Sequence, residues 1–197
     1  MKRAFILLLA LILCAFPSFA ETAAKDSSTA LFTYEDVFTL NCPVSWEFVP
    51  YESSAATEYY IPIGILTDPA PDGLVMDMYT VFFRHLADFN LFKADEEAFQ
   101  KYINDSLADY EPLNGVFRET VFAMDGTIPF AVFDLVDEYG PFIRAETMFS
   151  GKGIFFDLYA YADESYSVCR PLNEGDYAIF IQILESYLSI IPEYSLQ

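Results

Sequence analysis

The clearest structural signal in the chain is "FIRAETMFSGKGIFFDLYAYA", residues 142–162, which has the pattern of two strands joined by a tight turn. Runs of β-branched and aromatic residues flank "SGKG", and glycines between two such runs are typical of a β-hairpin. If Ser150 pairs with Gly153, alternation along both strands leaves one face almost wholly apolar, and we expect that face to lie in the core. The stretch therefore predicts an antiparallel sheet with at least one buried face.

The other face of this hairpin carries the charged residues. With the register above, Glu146 lies directly opposite Asp157, and Arg144 is two residues away. Facing carboxylates repel each other unless something offsets their charge. Three interpretations remain open: a solvated pair screened by Arg144, a divalent cation site, or an acid pair with one raised pKa for general acid catalysis.

Two helical patterns stand among the predicted strands. Apolar residues recur at helical spacing over about 94–110 and again over about 173–191. Strand-type runs cover 37–49, 58–83 and 116–136. Strands followed by a helix, twice over, with hairpin-like connections, predict an α+β fold in which an antiparallel sheet is flanked by helices.

The stretch "FTLNCPVSWEF", residues 38–48, predicts a short hairpin near the start of the domain. "CPVS" is turn-like, and the single tryptophan, Trp46, is expected to anchor the second strand in the core or at its rim. Cys42 lies in this stretch and Cys169 precedes the last helix. Of the three cysteines in the sequence, these two lie outside residues 1–20, which are predicted below to be removed on export. An even pair in an exported chain suggests a disulfide bond, so we predict that Cys42 and Cys169 are bonded.

Residues 1–20 have the three parts of a secretory signal peptide. A basic start is followed by a short apolar run and by small residues before Glu21. We therefore expect an exported protein, periplasmic or secreted, with a flexible segment at 21–30 and one domain at 31–197. No later apolar run reaches the length of a membrane span, so no transmembrane segment is expected after cleavage.

The net charge is strongly negative, at −20 for the whole chain. Such a charge repels nucleic acids and favours a cationic partner or a divalent cation, although it also serves solubility alone. Catalytic signatures are absent: the chain has no G-x-S-x-G, phosphate-loop or dinucleotide motif. Its one histidine, His85, is expected on the surface, and it cannot form a histidine-rich zinc site.

Aromatic residues are abundant, with 14 tyrosines among them. Most are expected in the core. Tyrosine combines an apolar ring with a polar tip, so a partly exposed group suits a recognition surface. The candidates for such a surface are Tyr59, Tyr60, Tyr159 and Tyr161.

The chain resembles the PsbP-like group, which includes the extrinsic PsbP proteins of photosystem II, Ran-binding relatives and bacterial DcrB-type exported proteins. The resemblance rests on Phe38, Pro43 and Trp46, on the Leu184-Glu185-Ser186 helix segment, and on the order of elements over 31–191. It implies an α/β/α sandwich and a role in binding or assisting larger assemblies. None of these residues is catalytic in the group.

The sequence thus favours an exported, non-enzymatic binding or accessory module whose partner is an envelope protein or a small molecule. Two alternatives remain: a hydrolase-type enzyme that uses Glu146 and Asp157, and a carrier of a small apolar ligand in a cavity between sheet and helix. A deep cleft that converges on both carboxylates would indicate the enzyme. A shallow aromatic or acidic surface would indicate the binding module.

Overall fold

A computed structural model describes residues 28–189 except 36, 53–55, 71, 124–125 and 163–167. Ten strands and two α-helices follow each other along the described chain, with short 3₁₀ turns at 84–86, 91–93 and 111–113. In order, they are β1 (Thr29–Tyr34), β2 (Phe38–Pro43), β3 (Glu47–Pro50), β4 (Tyr60–Thr67), β5 (Leu74–Phe82), α1 (Glu96–Asp109), β6 (Val116–Ala123), β7 (Ile128–Val136), β8 (Pro141–Phe149), β9 (Lys152–Ala160), α2 (Glu174–Glu185) and β10 (Leu188–Ser189).

Seven strands form one antiparallel sheet in the order β3-β4-β5-β9-β8-β7-β6. The predicted hairpin, β8 and β9, lies inside this sheet, and both of its strands are buried along most of their length. Burial on both faces requires a layer on each side of the sheet. The predicted α+β class with an antiparallel sheet flanked by helices is confirmed.

On one face the cover consists of α2 and a small sheet in the order β1-β2-β10. Phe38 from the small sheet, Phe156 from β9 and Tyr187 after α2 are fully buried there, with ring centroids 5.5–6.1 Å apart. The start of α2 is fixed by Asn173, whose side chain accepts hydrogen bonds from the first-turn N–H groups.

The opposite face, which we call the α1 face, is covered by α1 and by the 3₁₀ turns before it. Asp95 caps this helix by accepting from the Ala98 N–H at 2.9 Å. The apolar cluster beneath α1 contains residues of β7 and β8, such as Phe133 and Met148, but none of β3, β4 or β5. Helix α1 therefore covers the half of the α1 face that contains β7 and β8.

The hairpin register differs from the prediction by two residues. Phe149 pairs with Lys152, so the turn consists of Ser150 and Gly151, both with positive φ (47° and 75°). A two-residue turn of this kind needs left-handed backbone at both positions, and glycine suits the second one. Because a shift of two keeps every side chain on its face, the predicted core face is correct, whereas Glu146 lies opposite Phe155 and not Asp157.

The strands of "FTLNCPVSWEF" are present, but they do not form the predicted hairpin. β2 pairs with β1 and β10 in the small sheet, whereas β3 pairs with β4 at the edge of the large one. The turn between them is real, with the Trp46 N–H donating to the Pro43 carbonyl at 3.0 Å. Trp46 is partly buried against the α2-side core, as expected.

The ends of the chain differ from the prediction in detail. β1 begins at Thr29, inside the segment predicted to be flexible, and the last helix ends at Glu185 and not near residue 191. The predicted signal peptide lies outside the described residues. No helix in the described part of the chain has both the length and the apolar character needed to cross a membrane.

The predicted disulfide bond is absent, because Cys42 and Cys169 are both free and buried. They occupy different surroundings. Cys42 belongs to the core on the α2 side, whereas Cys169 lies against the backbone of Gly140 in the turn between β7 and β8. Burial raises the pKa of the Cys42 thiol to about 12 and that of Cys169 to about 11.

Both thiols should therefore resist alkylation in the native protein and react fully once it is unfolded. Thiolates are the reactive species, so at pH 8 we expect each native thiol to react on the order of a hundredfold more slowly than free cysteine. Iodoacetamide labelling without reductant, read for each cysteine by peptide mass spectrometry, measures this. Recovery of a Cys42–Cys169 linked peptide from the denatured protein would contradict it.

Candidate functional site

A row of charged side chains crosses the α1 face at the centre of the large sheet. The register places Asp77 of β5 directly opposite Asp157 of β9, and Asp157 directly opposite Arg144 of β8. The predicted facing pair of Glu146 and Asp157 is therefore wrong, and the carboxylate that lies opposite Asp157 is that of Asp77. The row carries two negative charges and one positive charge when both acids are ionised.

Arg144 and Asp157 form a buried, bidentate ion pair. The guanidinium donates through Nε to Oδ1 at 2.8 Å and through Nη2 to Oδ2 at 2.6 Å, and both side chains are largely excluded from solvent. The Tyr79 hydroxyl adds a third donor to Asp157, at 3.0 Å. The guanidinium carbon also lies 5.1–5.8 Å from the ring centroids of Tyr79, Tyr110, Phe142 and Phe155.

Glu146 belongs to a separate network that joins the sheet to α1. Its carboxylate is 1% exposed and accepts from the hydroxyls of Tyr102 (2.8 Å), Ser106 (2.9 Å) and Tyr110. The first two donors lie four residues apart on one stripe of the helix, and Tyr110 follows at the same spacing at its end. Burial raises the pKa of Glu146, while the three hydroxyl donors favour its ionised form.

Asp77 is the one member of the charged row with an unsatisfied oxygen. Its Oδ1 is buried and has no hydrogen-bond partner, while Tyr51 bonds to the carboxyl group. Burial, together with the charge of Asp157, raises the pKa of Asp77 to about 6. A carboxylate held in this way destabilises the folded state when it ionises, which is a common property of functional sites.

A pocket of about 390 Å³ opens over Asp77 on the uncovered half of the α1 face. Three tyrosines surround the carboxyl group, and aliphatic side chains from β3, β4 and β5 complete the walls. The tyrosines are Tyr51, Tyr159 and Tyr161. We call this site the Asp77 pocket.

A second cavity, of about 410 Å³, lies between α1 and the sheet, and we call it the α1 cavity. Its floor includes Glu146 and the three hydroxyl groups that bond to it, and most of its wall is apolar. His85 lies at its border and is exposed, as the sequence predicted. The two sites share no lining residue.

Two of the four predicted surface tyrosines reach a pocket. Tyr159 and Tyr161 stack at 6.2 Å and line the Asp77 pocket. Tyr60 packs 5.5 Å from the ring of Tyr79, and Tyr59 lies beneath the Arg84 guanidinium at 4.8 Å, outside both pockets. Of the four tyrosines predicted to form a recognition surface, two therefore share one site.

Asp77 and Tyr51 were not predicted from the sequence as a binding pair. A signal for Asp77 was present, since it is a lone acid within the apolar strand "LVMDMYTVF". Tyr51 carries no such signal, because its place beside Asp77 follows from the pairing of β3 with β4 and of β4 with β5.

The cation site predicted at Glu146 and Asp157 depended on these two acids facing each other, and the structure does not place them so. These acids are not opposite each other, and Arg144 already supplies a positive charge to Asp157. Across the described ranges there is no group of three or more His, Cys, Asp or Glu side chains able to hold a metal ion.

No protein-family model matches the chain, and no curated protein matches it. Among solved structures, the chain is similar to the solution structure of cyanobacterial PsbP (CyanoP) from Synechocystis sp. PCC 6803. The sequences are 16% identical, the TM-score is 0.46, and the match covers 85% of this chain and 95% of that one.

Replacing Arg144 with methionine should strongly destabilise the protein, because it leaves Asp157 buried without its counter-charge. Breaking a buried ion pair in this way costs about 3–5 kcal/mol of unfolding free energy. Arg84→Met is the matched control, since Arg84 pairs with Glu58 on the surface and should cost less than about 1 kcal/mol. Urea unfolding at pH 7 compares them, and equal losses would contradict the central role of Arg144.

Proposed function

We propose that this chain is a non-catalytic binding module whose Asp77 pocket receives a cationic group, the ammonium of a lysine side chain, from a partner protein. The observation that carries the proposal is the buried Asp77 Oδ1 without a hydrogen-bond partner, in a pocket lined by tyrosines. The export predicted from residues 1–20 belongs to this proposal and would make the partner an envelope protein.

Charge within the site supports a cationic ligand. In the central row, Arg144 is bound in bidentate fashion to Asp157, so the charge of Asp77 has no counter-charge of its own. A single positive group in the pocket would balance the row. The charge of the whole chain, −20, would attract such a partner from a distance.

The shape and chemistry of the walls also suit an ammonium group. Tyrosine rings attract cations through their faces, and this attraction grows as water is excluded. Tyr51 and Tyr161 border the carboxyl group together with Tyr159, so aromatic surface and negative charge occur in the same pocket. The aliphatic wall would pack against the methylene stem of a lysine.

The hydrogen bonds and ion pairs of Glu146 and Asp157 favour a binding role over the hydrolase alternative. A paired-acid mechanism needs two carboxyl groups that converge on one substrate atom. Glu146 is bonded to three hydroxyls beneath α1, whereas Asp157 is held by Arg144 and Tyr79. The two acids are therefore bonded to different donors, and Asp157 does not line the α1 cavity.

Titration with a small lysine analogue tests the proposal directly. Nα-acetyl-lysine methylamide should shift the amide NMR signals of residues around Asp77 in a saturable way, whereas the same compound acetylated at Nε should not, because it lacks the charge. Asp77→Asn should weaken binding at least about tenfold, as expected for loss of a charged contact. Asp72→Asn, an exposed acid before β5, is the control and should bind normally. Equal binding of the charged and the neutral compound would refute the proposal.

The raised pKa of Asp77 gives a second, pH-dependent prediction. Protonation of Asp77 below pH 6 competes with the cation, so affinity should fall about tenfold between pH 7.5 and pH 5. Because the folded-state pKa lies above the ordinary 3.8, ionised Asp77 costs the native state up to about 3 kcal/mol above pH 6.

Asp77→Asn should accordingly raise the free energy of unfolding at pH 8, and this gain should shrink as the pH falls through 6 towards 3.8. Urea unfolding at pH 8 and at pH 4 measures the gain. A gain that is the same at both pH values would show that Asp77 is not held at a cost to stability.

A further inference from the structure

The α1 cavity is a second site, independent of the Asp77 pocket. Its wall is made of side chains from the sheet and from the turns before α1: Phe83, Leu86, Phe89, Met148 and Phe155. Arg144, Asp157 and Tyr79 lie on the α1 face and line neither site, and the ring of Tyr79 stacks on that of Phe155 at 5.1 Å. A volume of about 410 Å³ is in the range of small-molecule sites.

The polar groups at the floor of the cavity are arranged as acceptors. Tyr102, Ser106 and Tyr110 each direct their hydroxyl hydrogen to the Glu146 carboxylate. A hydroxyl that has used its hydrogen in this way offers only lone pairs to a ligand. The buried Glu146 carboxylate beneath these hydroxyls adds negative charge to the floor. A ligand that reaches the floor must therefore bring a donor of its own.

The charges at the mouth point the same way. Lys101, Asp105 and Asp109 line the cavity on the helix side, and because Lys101 is paired with Asp105, the charge left over there is the negative charge of Asp109. An anionic ligand would meet like charge at the mouth and again at Glu146. Burial of an unpaired anion in such surroundings is strongly unfavourable.

We propose that the α1 cavity binds a small, neutral molecule with an aromatic or aliphatic body and an N–H or O–H donor, and that it rejects anions of the same shape. The apolar wall would take the body of the ligand, and the floor of acceptors would take the donor. This site and its ligand class are separate from the lysine recognition proposed for the Asp77 pocket, and neither depends on the other.

Two dyes with one shared body test the proposal on the full chain. N-phenyl-1-naphthylamine is neutral and has one N–H donor, and 8-anilino-1-naphthalenesulfonate is the same anilinonaphthalene with an added sulfonate. Fluorescence titration should show saturable binding of the neutral dye and at least about tenfold weaker binding of the sulfonate, which is the margin a buried like charge readily supplies. Equal affinities, or no binding of the neutral dye, would overturn the proposal.

Two variants of α1 locate the binding. Ala98 lines the cavity, so Ala98→Trp should fill it and lower the affinity for the neutral dye at least about tenfold. Ala108 is exposed on the same helix and lines no pocket described above, so Ala108→Trp should leave the affinity unchanged. Binding that persists in Ala98→Trp, with both variants folded by circular dichroism, would overturn the proposal.

Glu146→Gln tests the selectivity. Removing the negative charge of Glu146 should reduce the ratio of the two affinities, neutral dye over sulfonate, at least about threefold. An unchanged preference in a folded Glu146→Gln protein would contradict the role assigned to the floor. If that variant does not fold, the comparison of the two dyes and the Ala98→Trp result decide the matter alone.

Discussion

The bidentate ion pair between Arg144 and Asp157 is the interaction on which the rest of the α1 face depends. It lies between two central strands and takes up both oxygens of Asp157, while the guanidinium packs among four aromatic rings. Charges removed from water are tolerated when they are paired and hydrogen-bonded. With Asp157 satisfied, the neighbouring carboxyl group, Asp77, remains without a counter-charge.

A second constraint decides which part of the sheet is open. Glu146 is bonded to three hydroxyls on or at the end of α1, which fixes that helix over β7 and β8. Fully bonded buried polar groups favour one arrangement of the surrounding elements, because any other arrangement leaves a charge or a hydroxyl unsatisfied. The helix is held on one half of the face, and the tyrosine-lined pocket lies on the other half.

These two networks explain how the molecule holds buried acidic residues at its centre. Each buried carboxylate is engaged by donors of the protein itself, apart from one oxygen of Asp77. Proteins tend to accept a local loss of stability where a group serves binding. Ionised Asp77, whose pKa is raised to about 6, carries a cost of this kind in the folded protein.

The sequence by itself determined the α+β class, both helices and the apolar face of the central hairpin. It could do so because side-chain periods of 2 and 3.6 are local properties of the chain. The tertiary structure alone decided the register of that hairpin, since a shift of two residues leaves each side chain on the same face. It also decided that β2 and β3 join different sheets and that Cys42 and Cys169 remain apart. The pairing of Asp77 with Asp157 also could not be predicted from the sequence. Strand pairing between distant segments depends on packing that no local pattern encodes.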